Sequence, residues 1–148
     1  MTDASILSIP IDNPFLERLG VVLTDWSPGY AEMRLDISPE LGNRTGRIHG
    51  GVICTLLDAA CGYCGLYSAH GEPTPRSLTL SLTSNFISSG DGAALVAKGY
   101  MVRQGRSVYF SRAEVWLDDA ELLATAVGTF KYLRPGQARP PLAGPAIP

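Results

Sequence analysis

The stretch NRTGRIHGGVICTLLDAACGYCGLY, residues 43–67, decides how the rest of the chain is read. It begins as a polar loop carrying Asn43, Thr45 and Gly46, passes through His49-Gly50-Gly51, and enters a nearly unbroken run of apolar and small residues. A helix that is apolar on every side is a buried helix. Spanning 50–67 it would be roughly 27 Å long, the length of a small domain. Only Asp58 breaks the run. An unpaired carboxylate in an apolar site is costly or stays protonated. A buried helix that keeps one acid and is entered through a Gly-Gly turn therefore marks a candidate site.

Upstream, residues 1–12 carry no periodic pattern and read as a flexible lead. Asn13-Pro14 is an N-cap followed by Pro at the first helical position, which starts a short helix that Gly20 ends. Residues 21–26 and 30–37 flank Ser27-Pro28-Gly29 and read as a hairpin. In its second arm Ala31, Met33, Leu35 and Ile37 alternate with Glu32, Arg34 and Asp36, the pattern of a half-buried strand. The central helix is expected to run until about 68–71, ahead of Pro73 and Pro75.

Beyond Pro75 the pattern is all strand. Leu78, Leu80 and Leu82 alternate with Thr79, Ser81 and Thr83, and further runs cover 94–103, 107–117 and 121–133. Gln104-Gly105 and Asp118-Asp119 are the turns between them. Short turns predict that these four strands form an antiparallel meander. One long helix and one sheet make an α+β domain in which the sheet wraps the helix. The domain is expected over 13–134, with the Pro-rich segment 135–148 as a disordered tail.

At 148 residues the chain is one domain by length and long enough to bury a core. Its net charge of −2 leaves no basic footprint for nucleic acid. The N-terminus has no basic region ahead of its short apolar stretch, as a secretory signal would. The apolar run is too short and glycine-rich for a membrane span, so a cytoplasmic protein without a membrane partner is expected. Cys54, Cys61 and Cys64 form no disulfide framework. Cys61 and Cys64 have redox-pair spacing but lie well inside a helix, away from the N-terminus that would activate a thiol. With His70 they lack a second ligand pair of zinc spacing. They read as small buried hydrophobes.

His-Gly-Gly with an Asp nine residues after the His and an Asn six before it resembles the hotdog-fold acyl-CoA thioesterases, in particular their phenylacetate-pathway branch. TLSLTSNFI at 79–87, VRQGRS at 102–107 and ATAVGTF at 124–130 fall where that family's later strands would, so the likeness covers about 13–133. The resemblance implies a hotdog fold, hydrolysis of an acyl- or aryl-CoA to acid and CoA, no metal or cofactor, and a homodimer with shared sites. Whether such dimers pair again stays open.

Each candidate residue has two readings. Asp58 is either a general base toward water or the nucleophile at the thioester carbonyl; as a bland alternative it is a helix-edge acid. Gly50 lies where a helix leaves its first N–H groups unpaired, so it can serve as an oxyanion donor, or it simply permits a tight turn. His49 is a candidate base, but at a helix entrance a role in holding the loop is favoured. Asn43, by resemblance, positions water or the carbonyl, and Thr79 stands near the attacking water; otherwise they are a turn Asn and a strand Thr. Arg103 and Arg106, with Gly105 and Ser107, are either a solvated turn or a seat for the phosphates of coenzyme A, with Gly51 as a further contact.

Gly50 and Asp58 lie about 12 Å apart along the helix axis. They cannot both reach one carbonyl from one chain. If both are catalytic, they must come from two subunits. Two rivals of other classes are a non-catalytic acyl-CoA-binding protein and a hotdog hydratase or dehydratase, which would need His49 for proton transfer at carbon.

Overall fold

The computed structural model describes residues 8–70 and 72–145. Helix α1 (Pro14–Leu19) is capped as its sequence predicts. The Asn13 side chain accepts from Leu16 N–H at 3.3 Å, and Gly20 closes the helix at φ 88°. Strands β1 (Val22–Ser27) and β2 (Tyr30–Asp36) form the expected hairpin, and a short 3-10 turn (Pro39–Leu41) leads to helix α2 (Gly50–Tyr63). Four strands follow: β3 (Ser77–Phe86), β4 (Ala94–Gln104), β5 (Val108–Leu117) and β6 (Glu121–Tyr132). All pair antiparallel in one sheet of order β1-β2-β4-β5-β6-β3.

The sheet wraps α2. Leu56 and Leu57 are fully buried in one core cluster with Met33, Leu95, Val115 and Phe130, each contributing about 2 kcal/mol of transfer free energy. Sheet and helix meet closely because Gly99 in β4 has no side chain. A Cβ there would stand 2.0 Å from the Ala60 carbonyl oxygen.

Three expectations are corrected. The helix ends at Tyr63, not near 68–71, which leaves 14 residues and about 21 Å. Side chains from distant strands take the carbonyls at and just past its end: Trp26 Nε1 donates to Tyr63 O at 2.8 Å, Tyr109 Oη to Gly62 O at 2.7 Å, and Tyr132 Oη to Gly65 O at 2.9 Å. Nor is α2 buried on every side. Gly51 is exposed, and Cys54, Thr55 and Asp58 are only half-buried; together they form one stripe at helical spacing. Finally, only β4, β5 and β6 form a meander. Strand β3 pairs with β6 at the far edge, so the seven-residue link after Phe86 is a crossover.

Strand β3 also reverses its apolar phase. A bulge at Leu80 shifts its register, and Leu78 and Leu80 are 54% and 56% exposed. Its polar Thr79 and Ser84 instead face the helix. Within the expected lead, Ile9 bridges to Leu23, and 1–7 lie outside the described residues. From Leu133 to Pro145 there is no helix or strand, and 146–148 lie outside the described residues. Among the described residues no helix is long and apolar enough to cross a membrane.

Candidate active site

Strand β3 runs back along the half-open stripe of α2, and the two elements build the site. At one end Thr79 Oγ1 donates to Asp58 Oδ1 at 2.8 Å. Midway, Cys54 Sγ and Ser84 Oγ are 3.9 Å apart. At the other end the Phe86 ring lies against Gly50, 3.6 Å from where a Cβ would sit. The carboxylate that interrupts the apolar run is therefore oriented by a hydroxyl and faces a groove. It is not locked in the core.

His49 caps the N-terminus of α2, and Asn43 folds the loop that leads into it. His49 has β-region angles and its Nδ1 accepts from Gly51 N–H at 2.9 Å, so it serves as the N-cap. The cap uses up the Gly51 N–H. A Cβ on Gly51 would stand 2.9 Å from that same Nδ1. Gly50 N–H has no hydrogen-bond partner among the described residues, and it sits at the positive end of the helix dipole. Asn43 Oδ1 accepts from Thr45 N, Thr45 Oγ1 and Arg47 N at 2.9, 2.7 and 3.1 Å. Its carbonyl is spent on folding the loop, which leaves only the amide N–H₂ for a ligand.

Two cavities flank these ends. One, of about 360 Å³, is lined by Asp58, Thr79, Thr55, Ala59 and Gly62 and walled by Phe15, Trp26, Tyr63 and Phe130. The other, of about 410 Å³, is lined by Asn43, Gly46, Arg47 and Ile48. No residue lines both. One chain thus brings Asp58 and Thr79 together at one cavity and caps the helix start with His49, with Asn43 folding the loop that leads to it, but it does not join the two ends.

Arg103, Gly105, Arg106 and Ser107 lie on the exposed β4–β5 turn, at the Tyr63 end of the helix and away from Gly51. Gly105 is required there, because a Cβ would meet Val108 O at 2.6 Å. Neither arginine is in an ion pair among the described residues. The thiols of Cys61 and Cys64 are buried, and burial pushes them up to about 11 and about 12, so neither is a nucleophile near neutrality. Cys54 is half-buried rather than buried.

Sequence reasoning missed the walls of the first cavity. Phe15 comes from α1, Trp26 from β1 and Phe130 from β6; no spacing in the sequence signals that they meet.

This sheet wrapped around one helix is the hotdog fold. The sequence model of the thioesterase superfamily matches residues 45–124, more than half the chain, and the chain belongs to that superfamily. It is similar to the medium/long-chain acyl-CoA thioesterase YigI of Salmonella typhimurium, 28% identical over 130 residues that cover 79% of this chain and 84% of that one. Among solved structures it is similar to the conserved protein PA5202 of Pseudomonas aeruginosa, with TM-score 0.73 and 30% identity over 82% of this chain and 94% of that one. A thioesterase family protein of Silicibacter pomeroyi matches with TM-score 0.72 and 25% identity, over 82% and 90% of the two chains. None of these three names singles out the phenylacetate-pathway branch.

Proposed function

We propose that the chain hydrolyses an acyl-CoA thioester to the free acid and CoA, as a homodimer with two sites shared between subunits. The observation that carries this reading is the division of the groove. An acid held by Thr79 heads one cavity, while a free N–H at Gly50 stands at the other end of the same helix. Two antiparallel copies of α2 would bring the Asp58 of one subunit opposite the Gly50 of the other.

In that arrangement the Gly50 N–H binds the thioester oxygen as negative charge develops on it, aided by the helix dipole. The Asn43 amide donates beside it. Asp58 takes a proton from water, whose oxygen bonds to the carbonyl carbon, or adds to that carbon itself. In the first route the carbon–sulfur bond breaks and the CoA sulfur leaves with the proton taken from water. In the second the bond breaks to give an anhydride between the acyl group and Asp58, the thiolate takes a proton from solvent, and water then cleaves the anhydride to the free acid and the restored carboxylate. Thr79 aims the carboxylate. Arg103 and Arg106, exposed and without an ion-pair partner among the described residues, suit the phosphates of the nucleotide. No metal or cofactor is needed for these steps.

The unpaired edge of β3, with Leu78 and Leu80 outward, supports the dimer, since an open apolar edge is a surface that proteins cover. A hydratase would need His49 as a base at a substrate carbon, but Nδ1 accepts the bond that caps α2, so in the neutral ring Nε2 carries the proton and can only donate. The test is release of free thiol from acyl-CoAs by the purified protein and by Asp58→Asn. Turnover is expected, and the variant should lose about 10²-fold or more, the scale of general-base removal. Tight acyl-CoA binding with no turnover by the unmodified protein would instead identify a non-catalytic binder.

A further inference from the structure

The larger question left by that reading is which acyl groups the site accepts. From Asp58, the α2 face that borders the first cavity continues through Ala59, Gly62 and Tyr63. Ala59 and Gly62 are small and leave a trough. Gly62 is held small by the Phe130 ring, which a Cβ would approach to 3.3 Å. Tyr63 is the first large side chain along this face, about 7.5 Å beyond Asp58. Its ring lies 5.7 Å from that of Trp26. Trp26 is fixed in turn by its bond to the Tyr63 carbonyl.

We infer that this trough is the acyl pocket and that it selects medium-sized acyl groups, with Tyr63 as the stop and Ala59 as the floor. The inference rests on the proposed thioesterase reading. Phe15, Leu16, Trp26, Ala59, Tyr63 and Phe130 give the trough an apolar wall, while Asp12, Asn13, Thr74, Arg76 and Ser77 make a polar rim; among the described residues the cation on that rim, Arg76, is paired with Asp12 at 2.9 Å. The trough therefore suits the apolar end of the substrate rather than the phosphates, for which the free arginines lie on the β4–β5 turn. The part of the pocket that one subunit supplies, about 360 Å³, has room for about a dozen non-hydrogen atoms at roughly the volume of a water molecule each, about 30 Å³. Acetyl leaves most of it unfilled, and palmitoyl exceeds it. A chain that misfits an apolar pocket loses about tenfold or more in kcat/KM.

The experiment is a kcat/KM profile over acyl-CoAs with 2, 4, 6, 8, 10, 12 and 16 carbons, kept below micelle-forming concentrations (chain lengths set by the ~dozen-atom capacity). The unmodified protein should peak near 8–10 carbons and fall about tenfold or more toward both ends. Tyr63→Ala should restore the longest substrate about tenfold relative to the peak, and Ala59→Leu should move the peak to about 4–6 carbons. Tyr63→Phe, which keeps the ring, should keep the cut-off whatever it does to the rate.

A flat profile in the unmodified protein overturns the inference and leaves the thioesterase reading standing. So does a profile that folded Tyr63→Ala and Ala59→Leu proteins fail to move in opposite directions. If neither variant folds, the profile of the unmodified protein decides alone. No turnover of any acyl-CoA overturns the thioesterase reading, and this inference falls with it.

Discussion

Thr79 Oγ1 donates a 2.8 Å hydrogen bond to Asp58 Oδ1, tying the edge strand of the sheet to the acid of the central helix. The bond fixes which carboxylate oxygen faces the groove, so Thr79 is a positioning residue. Thr79→Ala should lower kcat about tenfold, the worth of one hydrogen bond to a charged group, with KM little changed. Thr79→Ser, which keeps the hydroxyl, should recover most of the rate. Equal loss in both variants would mean that the methyl, not the hydroxyl, matters.

The Gly50 N–H can be removed without touching any side chain. Pro is tolerated at the first helical position, and the preceding His49 has ψ 132°, the extended conformation that a residue before Pro requires. Gly50→Pro should keep its circular dichroism and melt within a few degrees of the unmodified protein. Its kcat should fall about 10²–10³-fold, as when an oxyanion donor is lost. Gly50→Ala, which keeps the N–H and meets Phe86 only at ordinary contact distance, should retain far more activity. A fully active, folded Gly50→Pro enzyme would remove this N–H from the mechanism.

What the sequence made legible was local. Asn13, Pro14 and Gly20 bounded α1 because caps act within a few residues. Asp118 and Asp119 marked the β5–β6 turn, where both adopt φ above 50°, an angle that Asp tolerates at the centre of a tight turn. The end of α2 was misplaced because Trp26, Tyr109 and Tyr132 impose it from other strands. The place of β3 was misread for the same reason. Its leucines look like core residues until the bulge and the crossover turn Leu78 and Leu80 outward. At the site, the spacing of Asn43, His49, Gly50 and Asp58 could be read along the chain, whereas Phe15, Trp26 and Phe130 become cavity walls only through folding.

The buried thiols make stability fall in alkali. Burial raises Cys61 from the ordinary thiol value of 9.0 to about 11 and Cys64 to about 12. In the unfolded chain both titrate near 8.5–9. Above that pH the unfolded state holds fewer protons than the folded one, so stability declines as pH rises. The decline should begin near pH 9 and reach roughly a few kcal/mol by pH 10.5 in urea titrations. Cys61→Ala with Cys64→Ala should flatten the curve between pH 8 and 10 while lowering stability at pH 7 by about 1–3 kcal/mol through small cavities. An unchanged slope in the double variant would assign the decline to other groups.

The shared site predicts rescue between two dead proteins. Asp58→Ala lacks the acid but keeps Gly50; Gly50→Pro lacks the free N–H but keeps Asp58. In a two-fold dimer each subunit gives one half to each site, so every heterodimer contains one site with both halves intact and one with neither. Random exchange of equal amounts makes half the dimers mixed, each with one of two sites working, for about a quarter of normal activity. Neither parent alone should exceed about a hundredth of it. Exchange has to be demonstrated separately, for instance with differently tagged subunits that co-purify after mixing. The alternative, a site complete within one chain, would need Asp58 and Gly50 to meet across about 12 Å of a single helix. Proven exchange without rescue, or full activity from a monomer, would therefore show that the oxyanion donor is not Gly50 and that another N–H near Asp58 takes its place.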